Sequence, residues 1–271
     1  MTPDLSAIAP IRQWDRGGER PVLALHCSLA HAGAWSALAA LLQGVTITAF
    51  DQPGHGRAPD WDGVQEIHGL TTGIAISLAE AIGGGKPIDL LGHSFGGTVA
   101  LRIALERPDL VRSLVLVEPV IFAAARASGH PAFAPFHEGH MAFIRLLNEG
   151  KREEAAALFH ASWGGGEALS ELSERQRRYI IDRIHHIAAQ NPVLLQDAAG
   201  LLAFMRLESL GVPVLLVEGG ASPPIIDAIM EELDRRIPQA QRLVVPGAGH
   251  MVPITHAKAV APTVQAHWAA C

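Results

Sequence analysis

The chain has 271 residues, 49% of them apolar, and a formal net charge of −6. That is ample material for a buried core, and α/β folds of roughly 250 residues often form one unit. The acidic balance, with no stretch gathering Lys and Arg on one face, argues against nucleic acid as a partner.

In chain order, the opening MTPDLSAIAP has neither a basic nor a long apolar region, so no secretory signal is expected. No apolar run reaches the ~18 residues of a membrane span. Residues 22–26, 45–50, 88–91, 114–117, 212–217 and 242–245 form short, mostly branched or aliphatic runs. Such runs read as strands buried on both faces. Between them, residues 35–42, 71–82, 95–106 and 225–237 read as helices. Strand–helix alternation predicts an α/β fold with a doubly wound, mostly parallel sheet.

The alternation stops between about residues 121 and 210. That segment reads as helices, with turns at 128–131 and 164–166 and one long helix over 171–190 that ends before Asn191-Pro192. The expected organisation is therefore a core of residues 1–120 and 211–271, with a helical cap insertion over 121–210.

The strongest chemical signal is Gly92-His93-Ser94-Phe95-Gly96-Gly97, between the strand at 88–91 and the helix from Phe95. A serine on a tight strand-to-helix turn is a nucleophile elbow. The glycines allow the close turn, and the helix N-terminus behind Ser94 favours developing negative charge. Pro246-Gly247-Ala248-Gly249-His250 follows the last strand and offers an imidazole on a comparable loop. Acyl transfer also needs backbone N–H donors aimed at the oxyanion. One is expected from Phe95, after the nucleophile, and one from Ser28, in the His26-Cys27-Ser28-Leu29 loop after the first of these strands. Cys27 has no flanking elbow and reads as a small buried residue. Cys271 ends the chain, so no structural disulfide is expected, and a reducing, cytoplasmic setting fits. Asp51-Gln52-Pro53-Gly54-His55-Gly56 reads as a tight turn. His26, Asp51, Ser94, Glu118 and His250 all fall at C-terminal strand ends, which line one ligand-binding edge of a parallel sheet. His137 and His140, or His185 and His186, match no zinc spacing, and no metal or cofactor is expected.

These motifs resemble the α/β-hydrolase fold superfamily, in its cap-bearing esterase and cofactor-free haloperoxidase-like group. The resemblance rests on 26–35, 51–56, 92–97 and 246–253, and it is weakest over 121–210. It implies a Ser–His–acid triad, a lid over the pocket and a small-molecule substrate. Two positions depart from the pattern: Cys27 stands where the family has glycine, and Ser222 where it has aspartate. Serine cannot supply the charge that stabilises an imidazolium. Glu118, directly after a buried strand and one strand along from Ser94, is the candidate acid, with Glu218 and Asp227 in reserve. The expected activity is hydrolysis of a small, mostly apolar ester or thioester. Carbon–carbon bond hydrolysis, acyl transfer and a non-catalytic ligand receptor are the alternatives.

Overall fold

The computed structural model describes residues 5–238 and 240–271; residues 1–4, which open both the N-terminal stretch and the expected core, lie outside it with Gln239. Seven strands form one sheet: β1 (Ile11–Asp15), β2 (Arg20–Leu25), β3 (Val45–Phe50), β4 (Ile88–His93), β5 (Val111–Val117), β6 (Val214–Gly219) and β7 (Gln241–Val245). Their order is β1-β3-β2-β4-β5-β6-β7. Only β1 pairs antiparallel, against β3, and the other pairs are parallel. Strand β1 (IRQWD) was not legible as a strand, because its polar residues face solvent at the sheet edge while Ile11 and Trp14 pack inward.

The central strands β4 and β6 are buried at every position. Successive side chains point to opposite faces, and two cores result. Leu23, Leu25, Leu90 and Leu116 enter the core built with α2 (Ile67–Gly83), α3 (Phe95–Glu106) and α10 (Pro224–Arg236). Val22, Ala24, Leu91, Val115 and Val217 enter the other, against α1 (Ser36–Ala39), α11 (Val252–Thr255) and α12 (Ala257–Ala269). Each fully buried Leu or Val contributes roughly 1.5–3 kcal/mol relative to exposure. Helix α12 was also missed: Pro262 lies inside it, but burial of Val260, Val264 and Trp268 outweighs that local cost.

The crossover from β2 leads outward to β3, and the next steps back past β2 to β4. The topological switch therefore falls between β2 and β4, where ligands enter open α/β sheets. Leu25 pairs with Gly92 there, which sets the loop after β2 beside the turn after β4.

Between β5 and β6 the described chain is helical: α4 (Phe122–Ala127), α5 (Phe133–Asn148), α6 (Arg152–Trp163), α7 (Glu174–Arg183), α8 (His185–Ala189) and α9 (Asn191–Leu194). The single long helix expected over 171–190 is instead broken. Ser173 caps α7 through Gln176, so the helix starts late. At its far end the ladder tightens into shorter turns, with Ile187 N–H donating to Ile184 O and Gln190 N–H to Ile187 O. Pro192 has no N–H to add to that ladder and sits instead in the first turn of a new short helix, α9. Phe143, Ala155, Ala156, Leu169, Ile184 and Ile187 form a small core of their own in this segment. Among the described residues no helix is long and apolar enough to cross a membrane.

Candidate active site

Ser94 occupies the turn between β4 and α3 with φ 55° and ψ −119°, a conformation costly for any non-glycine residue. Its N–H donates to Val117 O at 2.9 Å, so the strained turn is held by the neighbouring strand. The flanking glycines are required by space. A Cβ on Gly92 would stand 2.4 Å from Gly96 O, and one on Gly96 would stand 2.3 Å from Leu25 O. Helix and sheet thus meet closer than any side chain permits. Phe95 is the first residue of α3, so its N–H has no partner within the helix.

The loop after β7 carries His250 to this turn. Its Nε2 lies 3.0 Å from Ser94 Oγ, and its Nδ1 lies 2.5 Å from Glu118 Oε2. All three side chains are buried, Glu118 completely. The other carboxylate oxygen accepts from Gly219 N–H at 2.6 Å and from the Ser222 hydroxyl at 2.5 Å. A carboxylate can only accept, so Nδ1 carries the imidazole proton and Nε2 is left to accept from Ser94. Glu118 sits at φ 46°, just beyond β5, and that kink belongs to the same edge as the one at Ser94. His93 was not singled out from the sequence, where it is the variable position of the glycine–serine motif. Its Nε2–H donates to His250 O at 2.9 Å, and burial pushes its pKa down to about 3.

The reserve carboxylates point elsewhere. Glu218 and Asp227 both bind Arg242, each at 2.5 Å. Burial holds the Glu218 pKa above the ordinary range despite that arginine.

The loop after β2 is fixed by neutral histidines. His26 Nδ1–H donates to Cys27 O at 2.7 Å, and its Nε2 accepts from Gln52 N–H at 3.1 Å. His55 Nδ1–H donates to Pro53 O at 2.9 Å, and its Nε2 accepts from Leu29 N–H at 3.0 Å. Leu29 is itself left-handed, at φ 61°. Burial lowers these imidazoles to about 4 for His26 and about 3 for His55, which keeps both as acceptors. Asp51 accepts from Ala32 N–H at 2.8 Å and from Arg57 N–H at 2.9 Å, so the turn after β3 staples the loop after β2. Burial favours protonation of Asp51, yet these donors hold its pKa below the ordinary value. Ser28 stands on this braced loop, and its hydroxyl pairs with Gln190 of the helical segment.

Ser28, Ser94 and His250 line one wall of a cavity of about 60 Å³. The facing wall is aromatic and comes from the helical segment, through Phe122, Phe136, Phe159 and Trp163. The Trp163 ring meets His250 edge to face, centroids 4.7 Å apart. Cys27 also lines the cavity, but burial pushes its thiol up to about 12, which leaves it protonated and inert. Sequence reasoning did not find Gln190, which no local pattern marks because tertiary packing brings it in, and it did not foresee that the Ser222 hydroxyl donates to the Glu118 carboxylate.

The sequence matches the profile of the Alpha/beta hydrolase family over residues 22–263. The chain belongs to that family. It is 31% identical over 224 residues to the pimeloyl-(acyl-carrier protein) methyl ester esterase of Neisseria meningitidis serogroup B, covering 79% of each chain. The lipase LipV of Mycobacterium tuberculosis is 36% identical over 111 residues, 41% of either chain. The polyketide synthase ThaQ of Burkholderia thailandensis matches 93% of this chain at 29% identity but only 12% of its own length. The match thus spans less than two thirds of those last two relatives. A solved alpha/beta hydrolase from Sphaerobacter thermophilus superposes with a TM-score of 0.70 at 22% identity, over 96% of both chains. That likeness is one of fold. In this alpha/beta hydrolase the position expected to hold aspartate is Ser222, and the carboxylate at the His250 ring comes from Glu118.

Proposed function

We propose that this chain is a serine hydrolase that cleaves a small, mostly apolar carboxylic ester or thioester through a Ser94–His250–Glu118 triad. The observation that carries this reading is the buried chain of contacts from Ser94 Oγ through the imidazole to Glu118, at 3.0 and 2.5 Å. Ser94 Oγ attacks the carbonyl carbon while His250 Nε2 takes its proton. The N–H groups of Phe95 and Ser28 receive the oxyanion, a contribution of roughly 3–4 kcal/mol per donor. His250 then protonates the departing alcohol or thiol. Water, deprotonated by His250, attacks the acyl-enzyme and releases the acid. Glu118 holds the imidazole in the required tautomer and balances its charge.

Residues 121–210 act in this reading as a cap that shapes the acyl pocket. The support is that Phe122, Phe136, Phe159 and Trp163 line the same cavity as Ser94. The named activities of the esterase and lipase relatives agree with ester cleavage. The test is a series of p-nitrophenyl esters of increasing chain length, then acyl-CoA thioesters, on the wild type and Ser94→Ala. Turnover should accompany a single fluorophosphonate label at Ser94, and Ser94→Ala should lower turnover by ~10⁴-fold or more. Retention of about a tenth of wild-type turnover overturns the assignment.

A further inference from the structure

The turn that carries Ser28 is strained, and two parts of the chain hold it. Ala30 N–H donates to Cys27 O at 3.3 Å, which closes a four-residue turn with Ser28 and Leu29 at its centre. Leu29 takes φ 61°, a conformation that glycine usually supplies at the third place of a turn. A leucine persists there only where its surroundings over-determine it. The turn after β3 supplies one set of restraints: His55 accepts from Leu29 N–H, and Asp51 accepts from Ala32 N–H.

The helical segment supplies the other set. Tyr179 of α7 donates its hydroxyl to Ala30 O at 2.8 Å and accepts from Gly56 N–H at 2.8 Å. One oxygen thus ties the loop after β2 to the loop after β3. Burial raises the Tyr179 pKa, so the hydroxyl keeps the proton that it donates. Arg183, one helical turn further on, lies over the Tyr179 ring at 3.9 Å and donates to Gly54 O at 3.0 Å. Beyond α8, the buried Gln190 donates from Nε2 to the Ser28 hydroxyl at 2.9 Å, and that hydroxyl donates to Gln190 Oε1 at 3.0 Å. The segment therefore grips the second and fourth residues of the turn, on either side of the strained leucine.

We propose that Tyr179 and Gln190 are positioning residues for the reaction, which aim the Ser28 N–H at the oxyanion by holding the turn from Cys27 to Ala30. The proposal rests on the hydrolase reading above. It gives the helical segment a second task, since the segment then sets the rate of the chemistry as well as the shape of the pocket. An aimed donor bonds the charged oxyanion more strongly than the neutral carbonyl, so losing its aim lowers kcat more than it raises KM. Misplacement by about 1 Å can cost ~10²-fold. Outright loss of one oxyanion donor costs ~10²–10³-fold, which sets the ceiling of the effect.

The experiment measures turnover of the best p-nitrophenyl ester by wild type, Tyr179→Phe, Gln190→Met and the double variant. Each single change should lower kcat about tenfold and leave KM nearly unchanged. The double variant should approach the ~10²–10³-fold loss of a whole donor without exceeding it. A trifluoromethyl ketone gives the decisive readout. Ser94 Oγ adds to its carbonyl, the serine proton passes to His250, and the ketone oxygen becomes the oxyanion. Its affinity should fall by the same factor as kcat/KM. The acidic limb of the pH profile should stay in place, because Ser94, His250 and Glu118 are untouched. Arg178→Ala, on the same helix but bonded to Glu174, should match wild type. A kcat near wild type in both single variants overturns the proposal. So does a loss that leaves the ketone affinity unchanged, or one that moves the acidic limb. If wild type turns over no ester and a fluorophosphonate leaves Ser94 unlabelled, the hydrolase reading fails by itself, and amide hydrogen exchange at residues 28–30 tests the brace. Faster exchange there in Tyr179→Phe and Gln190→Met supports the positioning of Ser28, and unchanged exchange overturns it.

Discussion

Glu118 Oε2 meets His250 Nδ1 at 2.5 Å although 132 residues separate them in the chain. The contact spans the ends of two strands that are not neighbours, because β6 lies between β5 and β7. Glu118 reaches across through a left-handed backbone step directly after β5 and the added methylene of a glutamate side chain. The carboxylate fixes the imidazole tautomer, so Glu118→Gln should lower kcat by up to ~10⁴-fold while the fold and KM change little. Glu218→Gln should cost far less, since its carboxylate binds Arg242 and not the imidazole. Steady-state kinetics on the two variants decides the matter. A crippled Glu218→Gln beside a near-normal Glu118→Gln would move the acid to the later strand.

Ser222 gives the Glu118 carboxylate a second neutral donor at Oε1 besides Gly219 N–H. A hydrogen bond to a charged group contributes about 1.5–3 kcal/mol. Ser222→Ala should therefore lower kcat by roughly 10- to 100-fold. Ser222→Asp would place a second carboxylate against the first and should be worse than Ser222→Ala, although it restores the residue of the usual pattern. An Asp variant more active than wild type would show that the acid can be relocated to this loop without cost.

Acid should destabilise the fold through the buried imidazoles. Burial lowers His26 to about 4 and His55 and His93 to about 3, against an unfolded value near 6.5. Below about pH 6.5 the unfolded chain binds protons that the folded chain refuses, so stability is lost as pH falls towards 4. Each such histidine costs about 1.4 kcal/mol per pH unit in that window. Asp51 and Asp89, both held below the ordinary carboxylate value, add to the loss at lower pH. Urea midpoints measured between pH 7.5 and 4.5 should fall steadily. His55→Gln, which keeps an acceptor for Leu29 N–H, should make the slope shallower. A midpoint independent of pH would contradict this account.

Strands β2 to β6, buried over most of their length, were legible because continuous apolar runs have no other use in a chain of this rhythm, and β7 was legible by the same sign although it is partly exposed at the sheet edge. Strand β1 was not, since this five-residue edge strand with three exposed polar residues offers only two packed ones, Ile11 and Trp14, one to each core. The break of the long helix before Asn191 was hidden for a different reason. Ile184 and Gln190 keep right-handed helical angles, so local propensity sees no interruption where the hydrogen-bond ladder shortens. At the site, Ser94 and His250 stood out because glycine loops after strands are rare and directional. Glu118 required an argument by placement, from its strand end and from the serine at 222. Gln190 carried no signal at all, because no local pattern reports where a helix between β5 and β6 docks.

Phe136 offers the sharpest test of what that segment does. Its ring stacks on Phe122 at 4.2 Å and stands between the cavity of Ser94 and a second cavity of about 290 Å³, which it also lines. Phe136→Ala should open one into the other. The ring is partly exposed, so the stability loss should stay below the ~3–5 kcal/mol of a fully buried phenylalanine. The enlarged pocket should accept longer acyl chains, moving the optimum of the ester series by several carbons. The ratio of kcat/KM for the longest to the shortest ester should rise about tenfold, given ~0.8 kcal/mol for each newly buried methylene. Small fluorophosphonates do not reach past Phe136, so their rate of reaction with Ser94 should change much less than this ratio. Equal losses on every ester and on the fluorophosphonate would mean that the ring supports the fold and does not select the substrate.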